Sequence, residues 1–352
     1  VITGDLDRAL ATPIGSAGTW RPAPPGTAFG LRTYVTTIAF WLARSEAAGP
    51  DAAGPGAIAA TLAARLGGLD WVAAAAVTGG GYLAVTVTAD ALATLAVRIT
   101  QAGPGCARSS ALAGTSLAGP ADAGLSSAGS WEEARQRVHA AVTGRLAEAA
   151  GAHVSREHDA ERIASPQPAA TAAASPVAEA IAYAGTDAIT YALARHPPRG
   201  PARVDARLAA AHHLGNPAYA VRYAHAHAAS ALRQAADLGL GRGEAAGFQP
   251  RMLAHPGEQA LLHELSWFPE RVAGAARRRR PDVLAHFLEG LARAYFDCQE
   301  TCPAAWPGMA EPSPGEGTAV QAGAARLWLT AAARTALGAG LGLFGVDAPE
   351  RL

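Results

Sequence analysis

From Val177 to the end of the chain, apolar residues recur at helical spacing, with few β-branched residues among them. This pattern predicts helices near 177–195, 205–237, 257–275, 281–301 and 321–341, each burying one stripe in an all-α bundle. The first hundred residues alternate helix and strand signals. Tyr34 to Ser45 places Ile38 and Leu42 at helical spacing, and Ala57 to Leu66 reads as a second Ala/Leu helix. Trp71 to Val77 reads as a strand, Gly79-Gly80-Gly81 as a turn, and Leu83 to Val87 as a β-branched strand. Thr88 and Asp90 mark a helix start, and the helix runs through Leu92, Leu95 and Ile99. The expected fold class is a small α+β N-terminal domain over 1–103, followed by an all-α helical-bundle domain over 177–352.

The segment between them, 104–176, changes character twice. Residues 104–129 are rich in Gly, Ala and Ser and read as loop. Trp131 to Ala150 then reads as a helix, with Ser130 as N-cap and Glu133 three positions later in a capping-box arrangement. Residues 165–176 form a Pro/Ala/Ser linker. The helical segment 177–352 is therefore expected to fold by itself.

Composition bounds the chemistry. Half of the 352 residues are hydrophobic and 16% are charged, so a core is easily built. About a quarter are alanine, there is no lysine, and all 29 basic residues are arginine, a signature of GC-rich coding rather than of function. Formal net charge is zero, so nucleic-acid binding would have to use a local patch. Three cysteines do not make a secreted disulfide framework; there is no uninterrupted apolar run of membrane-spanning length and no basic-then-apolar leader. A soluble cytoplasmic protein is the expectation.

The chemistry-bearing residues are poorly arranged for catalysis. His225 and His227 are two apart on a helix and point to different faces. His153 and His158 lack the HExxH spacing, and Cys298 and Cys302 read as core. Gly239 to Gly243 reads as an interhelical loop rather than a phosphate loop. Neither a metal nor a cofactor is expected. The basic cluster Arg277-Arg278-Arg279-Arg280 has two readings: a solvated helix end before Pro281, with Asp282 compensating, or a phosphate contact.

Several long segments carry a resemblance. Asn216-Pro217-Ala218-Tyr219-Ala220-Val221-Arg222-Tyr223-Ala224-His225-Ala226-His227 is similar to NPVYYVQYAHAR, the opening helix of the anticodon-binding domain of arginyl-tRNA synthetases. His255-Pro256-Gly257-Glu258-Gln259-Ala260-Leu261-Leu262 resembles that family's HPAERALL, and residues 340–352 resemble GLDLLGVSAPERM. Gly185 to Tyr191 resembles the GADALRY helix that closes the family's catalytic domain. Pro201 to Leu208 resembles PLDFDLDL, with Arg203 and Arg207 in place of acids. More briefly, Thr33 to Ala39 and Gly79 to Val85 resemble DYATNVA and GPGFINF of the family's N-terminal extra domain.

The resemblance implies a tRNA-binding role, with Tyr82, Asn216, Tyr219, Arg222, Tyr223, Ala224, His227 and Gln299 at positions matching its RNA-contacting motifs. Departures fall among them: His227 replaces an arginine, Gln299 a tyrosine, Leu352 the terminal methionine, and Ala84 a polar residue beside Tyr82. The family's catalytic domain needs several hundred residues, an HxGH motif and, as a rule, a lysine for the phosphates. Here only residues 104–177 separate the two recognisable parts, His213-Leu214-Gly215-Asn216 lacks the second histidine, and lysine is absent. The expectation is a non-catalytic arginyl-tRNA synthetase paralogue, a tRNA-binding accessory or sensing protein. The alternative is a protein-interaction scaffold that has lost RNA binding.

Overall fold

A computed structural model of the chain describes residues 2–10, 20–22, 30–44, 54–119, 124–155, 175–304 and 317–352. Most of the linker 165–176, and His158, lie outside these residues. Contacts divide the chain into two compact units, each assembled from three segments of the chain. The first comprises Val1–Gly103, Ala231–Glu270 and Ala294–Ala333; the second comprises Pro104–Ser230, Arg271–Arg293 and Arg334–Leu352.

In the first unit, β1 (Trp20–Pro22), β2 (Thr33–Thr36), β3 (Val72–Thr78) and β4 (Tyr82–Val87) form an antiparallel sheet of order β1-β2-β4-β3. With it go the helices α1 (Ile2–Leu10), α2 (Ile38–Leu42), α3 (Pro55–Gly67), α4 (Ala89–Ala93) and α5 (Leu95–Ala102). The helix expected from Tyr34 begins only at Ile38. Thr33-Tyr34-Val35-Thr36 is rich in β-branched and aromatic residues, and pairing with Thr86 to Leu83 of β4 makes it a strand. The turn after β3 is as expected: Gly79, Gly80 and Gly81 all have positive φ. A Cβ on Gly81 would come 2.8 Å from Pro55 Cβ, so glycine is required there. Thr88 caps α4 by accepting from the Ala91 amide at 3.1 Å. The single helix expected here is broken at Thr94, whose hydroxyl donates to the Ala91 carbonyl at 2.7 Å.

The N-terminal residues share their core with α11 (Pro256–Ser266), which packs on α4 and α5. Tyr34 is fully buried, its ring 4.9 Å from that of Trp267, and its hydroxyl donates to Ser266 Oγ at 2.7 Å. Burial pushes the Tyr34 phenol well above its ordinary pKa, so it stays a donor.

A short 3₁₀ turn at Gly103–Ala107 leads into the second unit, where the stretch read as loop holds a strand, β5 (Ser116–Ala118). β5 pairs in parallel with β6 (His153–Ser155) through the helix α6 (Trp131–Ala149), the crossover that a parallel pair needs. Ser130 caps α6 as expected, accepting from the Glu133 amide at 3.2 Å; the Glu133 carboxylate, however, accepts from Gly129 N–H at 2.9 Å rather than from Ser130.

The expected helices exist, but three of them are pairs. Residues 177–195 form α7 (Pro176–Ala184) and α8 (Thr186–Arg195), broken at Gly185 with φ of 85°. Residues 205–237 form α9 (Ala206–Ala210) and α10 (Pro217–Asp237). Residues 257–275 form α11 and α12 (Phe268–Arg278), with Trp267 between them. Then come α13 (Pro281–Thr301) and α14 (Gly317–Phe344). The fold class is as expected, a small α+β N-terminal part and a helical C-terminal part. α14 also differs from the reading by apolar runs: Ala319–Phe344, with mean hydropathy 1.3, is long and apolar enough to cross a membrane by length and composition alone. Its most apolar stretch is 67% buried inside the protein, the pattern of a core helix.

Candidate nucleic-acid interface

The longer segments that carry the resemblance are helix starts and stops. Asn216 begins α10: its Oδ1 accepts from the Ala218 amide at 3.1 Å, and its Nδ2 donates to the carbonyls of Ala209 and Ala211, both at 2.9 Å. Pro217 follows at the first helical position, where its missing N–H costs nothing. His255-Pro256-Gly257-Glu258 begins α11 with a capping box. The buried Glu258 carboxylate takes the His255 amide at 2.9 Å and the Arg326 guanidinium at 2.7 Å.

At the other end, Gly345 stops α14 with φ of 71°, and the amides of Gly345 and Val346 return to the carbonyls of Gly342 and Leu341. Arg145 covers the last carbonyls, Leu343 at 2.8 Å and Phe344 at 2.9 Å. The tail beyond is tied down by His225 Nδ1–H to the Pro349 carbonyl at 2.9 Å, by the Arg334–Glu350 ion pair, and by the Asp347 amide to Asp187 at 3.0 Å. Asp187 belongs to the GTDAITY segment and His225 to the YAHA segment, so the motifs hold one another in place.

α10, held at its start by Asn216 and along its length by His225, also carries an aromatic stripe. Tyr219, Tyr223 and His227 stand at i, i+4 and i+8, half-buried on one side of the helix. The rings of Tyr219 and Tyr223 are 5.6 Å apart and 9° from parallel. His212, exposed in the turn before α10, stacks on Tyr219 at 5.5 Å and 16°. His227 continues the row at 6.1 Å, tilted by 58°. Burial holds the His227 imidazole below its ordinary pKa, so it is a neutral planar ring at pH 7. The row ends on His212, which is exposed. Beside it, Arg222 is half-buried, and its Nε has no hydrogen-bond partner among the described residues.

The structure sorts the other sequence-derived candidates. Asn216 and Ala224 are buried, the first with its amide fully engaged and the second in the core. Gln299 is half-buried in the first unit, donating to Thr330 Oγ1 at 3.4 Å and accepting from the Ala304 amide at 3.3 Å. Tyr82, also in the first unit, is 42% exposed, with its ring edge-on to Phe40 at 5.2 Å. Ala84 is buried. In the basic cluster, Arg277 and Arg278 end α12, and Arg280 forks onto Asp282 at 2.8 and 2.6 Å, the compensation expected from the sequence. His212 was not among the candidates; the signal available was its place seven residues before Tyr219. His213 accepts from the Gly215 amide at 3.0 Å and shapes the turn into α10. Cys298 and Cys302 are buried, and burial pushes the Cys298 thiol up to about 12.

Residues 221–352, which include most of α10 and the whole tail, match the family described as the DALR anticodon binding domain. The chain is 37% identical over 172 residues to the arginine–tRNA ligase of Paenarthrobacter aurescens, an alignment covering 49% of this chain and 30% of that protein. It is 38% identical over 168 residues to the arginine–tRNA ligase of Frankia alni, covering 48% and 29%. The chain thus spans under a third of the length of these relatives. Among solved structures it is similar to the arginyl-tRNA synthetase of Thermus thermophilus, with TM-score 0.37 and 24% identity over 68% of this chain and 34% of that one. A putative arginyl-tRNA synthetase from Campylobacter jejuni gives TM-score 0.40 and 16% identity, over 51% and 37%.

Proposed function

We propose that this chain binds tRNA through its anticodon-binding domain and does not charge it, serving as a cytoplasmic accessory or sensing protein related to arginine–tRNA ligases. The observation that carries this is the aromatic row His212–Tyr219–Tyr223–His227, lying half-open on the opening helix of a DALR domain. Planar rings open to solvent take unstacked bases without demanding a sequence, and base–aromatic stacking is worth roughly 1–3 kcal/mol per base. The absence of catalysis rests on the internal spacing, where residues 104–177 leave no room for the synthetase domain, and on the missing HxGH motif and lysine. Homology alone would assign ATP binding and arginine–tRNA ligation.

Filter binding of bulk tRNA to the intact chain at low salt tests the reading. Tyr223→Ala should weaken binding by roughly 1–3 kcal/mol, and affinity should fall steeply with salt. Pyrophosphate exchange with arginine and ATP should stay at the blank. Exchange that tracks the protein through purification would overturn the non-catalytic reading. The internal engagement of Asn216, Ala224 and Gln299 favours a second reading, a protein-binding scaffold; failure to bind any tRNA at low salt would select it.

A further inference from the structure

The basic cluster is left over when the aromatic row is accounted for, and its surroundings are built rather than incidental. Arg135 is buried, held by Glu132, and donates to the Pro197 carbonyl at 2.9 Å, which pins the Pro197-Pro198 turn. Pro198 borders an open cleft of about 360 Å³ that is also lined by Arg199, Arg278 and Arg280. It borders a second cleft, of about 480 Å³, lined by Arg279, Thr143, Gly144 and Gly119. Asp282 spends its charge on Arg280. The guanidiniums of Arg199, Arg278 and Arg279 have no ion-pair or hydrogen-bond partner among the described residues. Arg278 folds back over Gly274, where a Cβ would come within 3.1 Å of its Nη2. Arg279 sits at φ of 51°, the left-handed position that closes α12, where glycine is the ordinary residue.

Three uncompensated guanidiniums carry five donors each in planar forks. One carboxylate would neutralise only a third of that charge. A run of phosphates supplies repeated charge and the bidentate oxygens that guanidinium forks match. We propose that the paired clefts about Pro198 are an anion site for adjacent phosphate groups, those of an RNA backbone or of a free oligophosphate. The site is separate from the aromatic row and would make a sequence-blind contact.

Calorimetry of the intact chain with sodium tripolyphosphate at low salt tests it without relying on tRNA. Binding should be lost in R199Q/R278Q, largely kept in R199K/R278K, and unaffected by Tyr223→Ala; all variants should melt like the wild type, since both arginines are exposed. A single-stranded twelve-nucleotide RNA distinguishes the sources. If R199Q/R278Q also weakens the RNA and lowers its salt dependence by one to two counterions, the backbone is the ligand. If only tripolyphosphate is affected, the ligand is a free oligophosphate. No tripolyphosphate binding at low salt, or equal binding by R199Q/R278Q, overturns the proposal whatever tRNA does.

Discussion

His225 shows how a residue that looks like chemistry can be structure. It is buried, and it ties α10 to the tail through Pro349. Burial, ahead of the neighbouring Arg334, lowers its pKa against the raising effect of the Pro349 carbonyl and Glu350. The native state therefore keeps it neutral, while the unfolded chain takes up a proton below about pH 6.5. Stability from this group is complete above that pH and is lost as pH falls below it. His139, His196 and His227 are shifted the same way, each chiefly by burial. Melting temperature should drop between pH 7.5 and 5.5, with a shallower slope in His225→Asn; an unchanged slope would show that His225 is not part of the effect. Arg279 is the opposite case. Its left-handed backbone costs an L-residue roughly 1–2 kcal/mol, so Arg279→Gly should raise stability by about 1 kcal/mol in urea titration while removing a charge from the Pro198 cleft.

At the scale of elements, the helices were legible from their periodicity, whereas their breaks were not. Gly185 and Trp267 fall inside stretches that apolar spacing alone reads as single helices, and that spacing places no boundary at either. Caps were legible where side-chain chemistry is local, as at Ser130 and Thr88. Close approaches are invisible in one dimension. A Cβ on Gly340 of α14 would fall 2.5 Å from Leu288 Cδ2 on α13, and Leu288 is fully buried with little room to turn. Alanine gains up to about 1 kcal/mol of helix propensity over glycine; overpacking a filled core costs roughly 1–3 kcal/mol. Gly340→Ala should therefore destabilise the protein in a denaturant melt, and a neutral or stabilising result would mean that the two helices part easily.

At the scale of the whole molecule, the N-terminal residues and α11 are one core, not neighbours on a string. Tyr34, Trp267 and Ser266 seal it, and α11 packs on α4 and α5. In the sequence, the Pro/Ala/Ser stretch at 165–176 sets 177–352 apart as a self-contained segment. The contacts instead predict that residues 177–352 alone keep a helical circular-dichroism signal but bind an apolar dye and melt less cooperatively than the full chain. A sharp melt without dye binding would show that this core is dispensable.

What the sequence determined by itself was whatever is encoded locally. Helical periodicity, the turn at Gly79–Gly81, the caps and the DALR-type fingerprint all depend on residues within a few positions of one another. The candidate tyrosines were legible for the same reason, since i, i+4, i+8 spacing places side chains on one helix face. The tertiary structure decided what depends on partners far along the chain. It made Tyr34 a strand residue by pairing it with Val85, and committed the amides of Asn216 and Gln299 to the protein itself. It added His212 to the aromatic row by folding the turn before α10 back on Tyr219. It also brought Arg199 to the arginines that close α12, across a separation in sequence that no local pattern spans.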